Sequence, residues 1–209
     1  MQVYQWDKDG FETAYWKYYY KLRGCGTARP HWCKCTDKYI SYSRDFFETN
    51  EMFTSRAKSI VSKLNLQNAD KVLVIGAALG YLNEELNALG MHSYAIDNSQ
   101  YIHSIKGKER ATTDVANISV LDADFLVKLK RSFSINKFDC VITEDVLPSY
   151  DSYQQIFTNC ELALNSNNYK KIVHIVETNV GSPLISKSLD QWKLLNTNYT
   201  WLNSVGEDQ

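Results

Sequence analysis

Proline is scarce in this chain, with 3 in 209 residues, and none of them falls inside an apolar run. Nothing in its composition argues against a sheet of uninterrupted central strands. No apolar stretch approaches the length of a membrane span, and the first residues lack a signal-peptide pattern. A cytoplasmic protein is expected, in the host cytoplasm if the source is viral, without a membrane partner. Charge of one sign is lacking too: the net charge is −1, so global electrostatics favour no polyanionic partner. Cysteines number only 5, at positions 25, 33, 35, 140 and 160, an odd set with no disulfide-framework spacing. They fit a reducing compartment, with Cys140 and Cys160 acting as small apolar residues in core elements.

What is present is unevenly spread. Of 27 aromatic residues, 11 lie within the first 44 positions, together with 8 Lys or Arg against 4 Asp or Glu. The sequence therefore divides into an aromatic, basic N-terminal extension (1–44) and an α/β domain (45–209). The extension combines Tyr15, Trp16, Tyr18, Tyr19, Tyr20, Arg23, Arg29, Trp32 and Lys34. Such a surface can stack bases and neutralise phosphates. It serves equally as a lid or a dimer face, which leaves homo-oligomer formation open. Cys25, His31, Cys33 and Cys35 are soft ligands, but Cys33-x-Cys35 is tighter than zinc spacing and Cys25-x5-His31 is irregular. No metal is assigned.

From residue 45 onward, apolar runs alternate with segments of helical spacing. Strands are expected near 71–75, 92–96, 117–121, 138–143 and 171–177. Helices are expected over 44–64 and near 80–89, 99–107, 123–131, 151–164 and 185–195. This alternation predicts a Rossmann-like, mostly parallel sheet with helices on both faces. Little strand-forming sequence follows residue 177, so the sheet is expected to be truncated at its C-terminal edge, or completed by another chain.

Residues 72–97 carry the most chemistry. The run Val72-Leu73-Val74-Ile75 reads as a buried parallel strand. Gly76-Ala77-Ala78-Leu79-Gly80 is a turn of small residues, and Tyr81-Leu82 opens a helix that stops at Gly90. The next strand ends on Asp97, 21 positions after Gly76, with Asn98 and Ser99 placed to cap the following helix. Ligands of open parallel sheets bind beyond the carboxyl ends of the strands, where small residues let the backbone approach. The helix start offers N–H groups, and the strand-end carboxylate can accept both hydroxyls of a ribose. Taken alone, the turn is any βα connection and Asp97 a helix cap; the pairing at this distance favours nucleoside binding. A dinucleotide fingerprint wants a small residue where Tyr81 stands, which disfavours a nicotinamide oxidoreductase. The spacing of Gly76, Ala78 and Gly80 suits S-adenosylmethionine, which has no pyrophosphate to hold.

On these residues the stretch from Lys71 to Tyr150 resembles the class I S-adenosylmethionine-dependent methyltransferases, and is similar to small methyltransferase-like proteins often encoded by tailed phages. The resemblance implies S-adenosyl-L-methionine as cofactor and methyl transfer as the activity. It places Gly76, Ala77, Ala78, Gly80, Tyr81, Leu82, Asp97 and Asn98 around the cofactor. It makes Asp122 the acceptor for the adenine amino group and Ala123 a backbone donor to the ring; Asp122 or Asp124 also suits a helix cap. The loop Thr143-Glu144-Asp145-Val146-Leu147-Pro148-Ser149-Tyr150 comes to lie beside the transferable methyl. There Glu144 and Asp145 are candidates for general base, cation binding or contact with the cofactor ammonium, and Tyr150 for lining the pocket. The Asn-or-Asp-Pro-Pro-aromatic tetrad of amino-directed DNA methylation is absent. Val74 stands where the family usually has an acid, and Ala78 replaces its middle glycine. The acceptor, whether small molecule, protein or nucleic acid, is not written in these motifs. A domain that binds the cofactor without transferring anything uses the same residues. His174, inside an apolar run, is expected to be a hydrogen-bonded core residue.

Overall fold

The computed structural model describes residues 50–78, 80–99, 103, 114–144, 146, 153–165 and 171–175. Residues 1–49 lie outside these, and so do the four candidate zinc ligands of the extension, the last expected helix and the C-terminal sheet edge.

Val72 to Ile75 are all buried because the strand they form is covered on both faces. This strand, β1 (Lys71–Ile75), is the middle of the five strands among the described residues. β2 (His92–Asp97) and β4 (Cys140–Glu144) flank it, with β3 (Val115–Asn117) and β5 (Lys171–Ile175) outside, giving the order β3-β2-β1-β4-β5. Every pairing is parallel, with Val74 opposite Ala95 on one side and Ile142 on the other. The Rossmann-like expectation holds.

Helices cover both faces. α1 (Asn50–Lys63) presents Phe53, Ala57 and Ile60, one helical stripe, to Val72 and Val74. α2 (Tyr81–Ala88) adds Tyr81, Leu82 and Leu86 to that core. The two helices are tied by Thr54 Oγ1 donating to Glu85 Oε2 at 2.8 Å and by a Phe53–Tyr81 ring contact at 5.6 Å. On the opposite face α3 (Phe125–Phe133) and α4 (Tyr153–Ala163) pack Phe125, Leu129, Ile156 and Phe157 against Leu73, Ile75 and Val141. Cys140 and Cys160 are free and fully buried, and burial pushes the Cys140 thiol up to about 12 and raises that of Cys160 as well.

One strand is displaced from its expected position. The third strand is Val115–Asn117, not 117–121. The alternation of Ile118 and Val120 imitates a strand, and both side chains are buried. Their backbone, however, finds its partners elsewhere. Asn159 Nδ2 donates to the Val120 carbonyl at 2.6 Å, and Gln155 Nε2 to the Leu121 carbonyl at 3.1 Å. Side chains of α4 thus satisfy carbonyls that a sheet neighbour would otherwise take.

Candidate functional site

The chain order β1-β2-β3 grows to one side of β1 and β4-β5 to the other. The crevice where such a sheet reverses direction lies between the carboxyl ends of β1 and β4. The small-residue turn sits there. Gly76 has φ +77°, and a Cβ on it would lie 2.5 Å from Val146 Cγ2 and 2.6 Å from the Glu144 carbonyl oxygen. Only glycine lets the end of β1 approach β4 so closely.

The rest of the turn leans toward β2. The N–H groups of Gly76 and Ala77 both donate to the Ile96 carbonyl, at 3.0 and 3.1 Å. Ala78, with φ +48°, donates its N–H to Asp97 Oδ2 at 2.9 Å. Gly80 donates to the Ala77 carbonyl at 2.7 Å and caps α2 with φ +83°. The turn therefore spends left-handed conformations at 76, 78 and 80, and the one on alanine costs about 1 kcal/mol. Leu79 lies outside the described residues.

Asp97 is 6% exposed. Its Oδ1 accepts the Ser99 N–H at 2.8 Å, and its carbonyl meets His103 Nε2 at 2.8 Å. One carboxylate thus joins the small-residue turn to the segment that follows β2, and half-buried Asn98 stands between its two anchor points. His103 carried no motif signal; only the expected 99–107 helix hinted at it.

Tyr81 and Leu82 are buried in the core between α1 and α2, so a contact from either to a ligand comes through the main chain. Asp122 makes local contacts: Oδ2 accepts the Ser119 N–H at 3.0 Å and pairs with Lys128 at 2.9 Å. The hydrogen bonds that Lys128 donates to Asp122 and Asp124 raise its ammonium above its ordinary value. Ala123 is exposed beside them.

Glu144, the last residue of β4, is held by Arg56 of α1, a partner that the sequence did not announce. The Arg56 guanidinium lies 5.8 Å from the centre of the Phe53 ring. Beneath them Val74 is fully buried in the same core, so no acid from β1 reaches this corner. Asp145 and Tyr150 lie outside the described residues. Across the sheet Thr143 and His174 pair in register, with Thr143 Oγ1 and His174 Nδ1 2.7 Å apart. Burial lowers the His174 imidazole to about 4; the hydrogen bond that the sequence suggested is made, though by a residue that is half-buried rather than part of the core.

A separate open depression of about 820 Å³ borders β2 and β3, lined in part by Glu84, Tyr94, His103, Asn117 and Phe133. It does not include residues 76–80 or Asp97, and nothing in its lining resembles the chemistry of the turn.

No protein-family profile matches the sequence, and no curated protein matches it significantly. Among solved structures the chain is similar to a candidate S-adenosyl-L-methionine-dependent methyltransferase from Methanococcus maripaludis, at 13% identity and TM-score 0.47, covering 66% of this chain and 63% of that one. It is similar to the plantazolicin methyltransferase BpumL, solved with SAH, at 16% identity and TM-score 0.46, covering 75% and 59%. It is also similar to a SAM-dependent methyltransferase from Archaeoglobus fulgidus, at 15% identity and TM-score 0.45, covering 61% and 53%. The alignments thus span less than two thirds of each of these proteins. The described residues form an α/β domain with a five-stranded parallel Rossmann-like sheet.

Proposed function

We propose that this chain binds S-adenosylmethionine over the carboxyl ends of β1 and β2 and directs its methyl group to an acceptor. The observation that carries this reading is the direct bond between the Ala78 N–H and Asp97 Oδ2, which makes the small-residue turn and the strand-end acid one unit. Their fit to an adenosyl group is local and chemical. Gly76 leaves no room for a Cβ between itself and β4, as a backbone cradle requires. Asp97 braces two N–H groups at the end of β2, and a carboxylate so placed is the kind of group that accepts ribose hydroxyls.

In this reading Gly76, Ala77, Ala78 and Gly80 present main chain to the ligand, and Tyr81 and Leu82 add the start of α2. Asn98 lies beside the ribose, and Asp122 and Ala123 take the adenine edge. Glu144 is assigned to the amino-acid end of the cofactor, because Arg56 already holds it there. Asp145 and Tyr150 are assigned to the acceptor side. A bound sulfonium supplies a methyl group that is already activated. The chain's task is then to align donor and acceptor rather than to provide a strong base. Residues 1–44 are assigned to the acceptor, whose class stays open between small molecule, protein and nucleic acid.

Calorimetry with S-adenosylmethionine tests the binding half, and a methyl-release assay over candidate acceptors tests the transfer half. Binding followed by acceptor-dependent release is the expected result; absence of binding overturns the proposal. A second reading, a cofactor-binding module without transfer, draws on the buried Val74 and on the engagement of Glu144 by Arg56. Its signature is tight binding with no methyl release from any acceptor.

A further inference from the structure

We infer that His103 is a positioning residue for nucleoside recognition: its Nε2–H braces the main chain of Asp97, so that the carboxylate meets a bound ribose in one fixed orientation. The inference rests on the adenosyl reading of the neighbouring turn. It adds a residue six positions beyond Asp97 that no motif marks.

The sheet explains why a brace is needed. β1 pairs with β2 only as far as Ile96, and β3 follows one residue further, to the pair Asp97–Asn117. Asp97 thus stands where the ladder runs out, and its main-chain groups need partners from outside the sheet. At 6% exposed, it has little water to turn to. Three donors meet its three oxygens. The Ala78 N–H reaches Oδ2 at 2.9 Å, the Ser99 N–H reaches Oδ1 at 2.8 Å, and His103 Nε2 lies 2.8 Å from the carbonyl oxygen. The first two fix the carboxylate's rotamer, and the third fixes the peptide that carries it.

The chemistry of the ring sets the direction of that bond. A carbonyl oxygen only accepts, so Nε2 carries the proton. Nδ1 then holds the lone pair of the neutral ring or the second proton of the imidazolium, and either form donates from Nε2. The bond survives a change of charge, which suits a brace and not a proton carrier. The brace is itself anchored. The His103 N–H donates to the Ser99 carbonyl at 3.1 Å, and Ser99 donates to Asp97. Asp97, Ser99 and His103 thereby close a circuit of hydrogen bonds in which no member turns independently of the others.

Placement separates bracing from mere satisfaction of a polar atom. His103 is half-buried and lines the open depression beside β2 and β3. Water on that side would satisfy the Asp97 carbonyl if pairing alone were required. A ring held at its own main chain adds what water lacks, a fixed direction of approach.

The test compares adenosine with 2′,3′-dideoxyadenosine, which lacks the diol, by competition calorimetry against S-adenosylhomocysteine on the full chain. The wild type is expected to prefer adenosine by about tenfold or more. His103→Met removes the donor while keeping much of the volume. It should take away most of that preference and leave the affinity for 2′,3′-dideoxyadenosine unchanged. His103→Gln carries an amide donor near the Nε2 position and should restore the preference. Thermal unfolding reports whether each variant is folded; should His103→Met unfold, His103→Asn, whose amide falls short of the Nε2 position, takes its place. Equal losses for the two ligands would make His103 a structural residue and overturn the inference. So would an undiminished preference in His103→Met, or a failure of His103→Gln to restore it. The adenosyl reading survives each of these results. Equal wild-type affinity for the two nucleosides removes the ribose role of Asp97, and the inference with it. No binding of S-adenosylhomocysteine by the wild type overturns the adenosyl reading itself, and again the inference with it.

Discussion

The main-chain N–H of Ala78 donates to Asp97 Oδ2 at 2.9 Å, so a residue in the turn after β1 and one at the end of β2 share a single hydrogen bond. The same carboxylate receives the Ser99 N–H at 2.8 Å. Asp97→Ala leaves both donors without this acceptor. It is expected to lower stability by about 1–3 kcal/mol and to weaken S-adenosylmethionine binding by a similar amount. Urea denaturation and calorimetry measure the two effects. Unchanged affinity removes the ribose assignment, whatever happens to stability.

Gly76→Ala combines a positive φ with two close approaches, one of them to a backbone oxygen. The expected cost is roughly 2–4 kcal/mol. Adding Val146→Ala relieves the contact with Cγ2 but not the one with the Glu144 carbonyl, so the double variant should recover only part of the loss. Full recovery in chemical denaturation would show that the β1–β4 approach is not the constraint.

His174 gives a pH signature of known sign. Burial lowers its folded-state value to about 4, below the ordinary 6.5. The unfolded chain then binds the extra proton between those two values, so stability falls as pH drops from 6.5 toward 4. The fall should be of the order of 3 kcal/mol at most. His174→Gln should flatten that part of the profile relative to the wild type. Parallel wild-type and variant profiles would contradict this.

Cys140 and Cys160 should resist thiol reagents in the native protein, since both are fully buried and their thiols are raised above the ordinary value. Peptide mapping after a brief pulse of maleimide, with and without denaturant, provides the measurement. Labelling of either residue at native conditions, at a rate matching the unfolded chain, is the contrary result.

The legible parts of this fold were those in which one short stretch holds its own evidence. Val72 to Ile75 followed by Gly76 and Gly80 declares strand, turn and helix without reference to anything distant, and Asp97 closes the next strand within the same window. The third strand misled because Ile118 and Val120 alternate like strand residues while their backbone is satisfied by Gln155 and Asn159 of a later helix. Periodicity reports which side chains are buried, not which groups bond the main chain. Arg56 escaped for a different reason. α1 announced itself through Phe53, Ala57 and Ile60, but pairing its arginine with Glu144 requires knowing that β4 lies next to β1. The Thr143–His174 contact likewise depends on a register that becomes visible only once β4 and β5 are aligned.

The central place of β1 ties the crevice to the order of protein synthesis. A chain still emerging from the ribosome can pair β1 with β2 early, but its other neighbour ends at Glu144. Until that segment arrives, one flank of β1 stays open and Gly76 has no wall to rest against. A nascent polypeptide interrupted shortly before residue 140 would therefore carry the glycine turn and Asp97 without the crevice between β1 and β4, together with an unpaired strand edge that attracts aggregation or a chaperone.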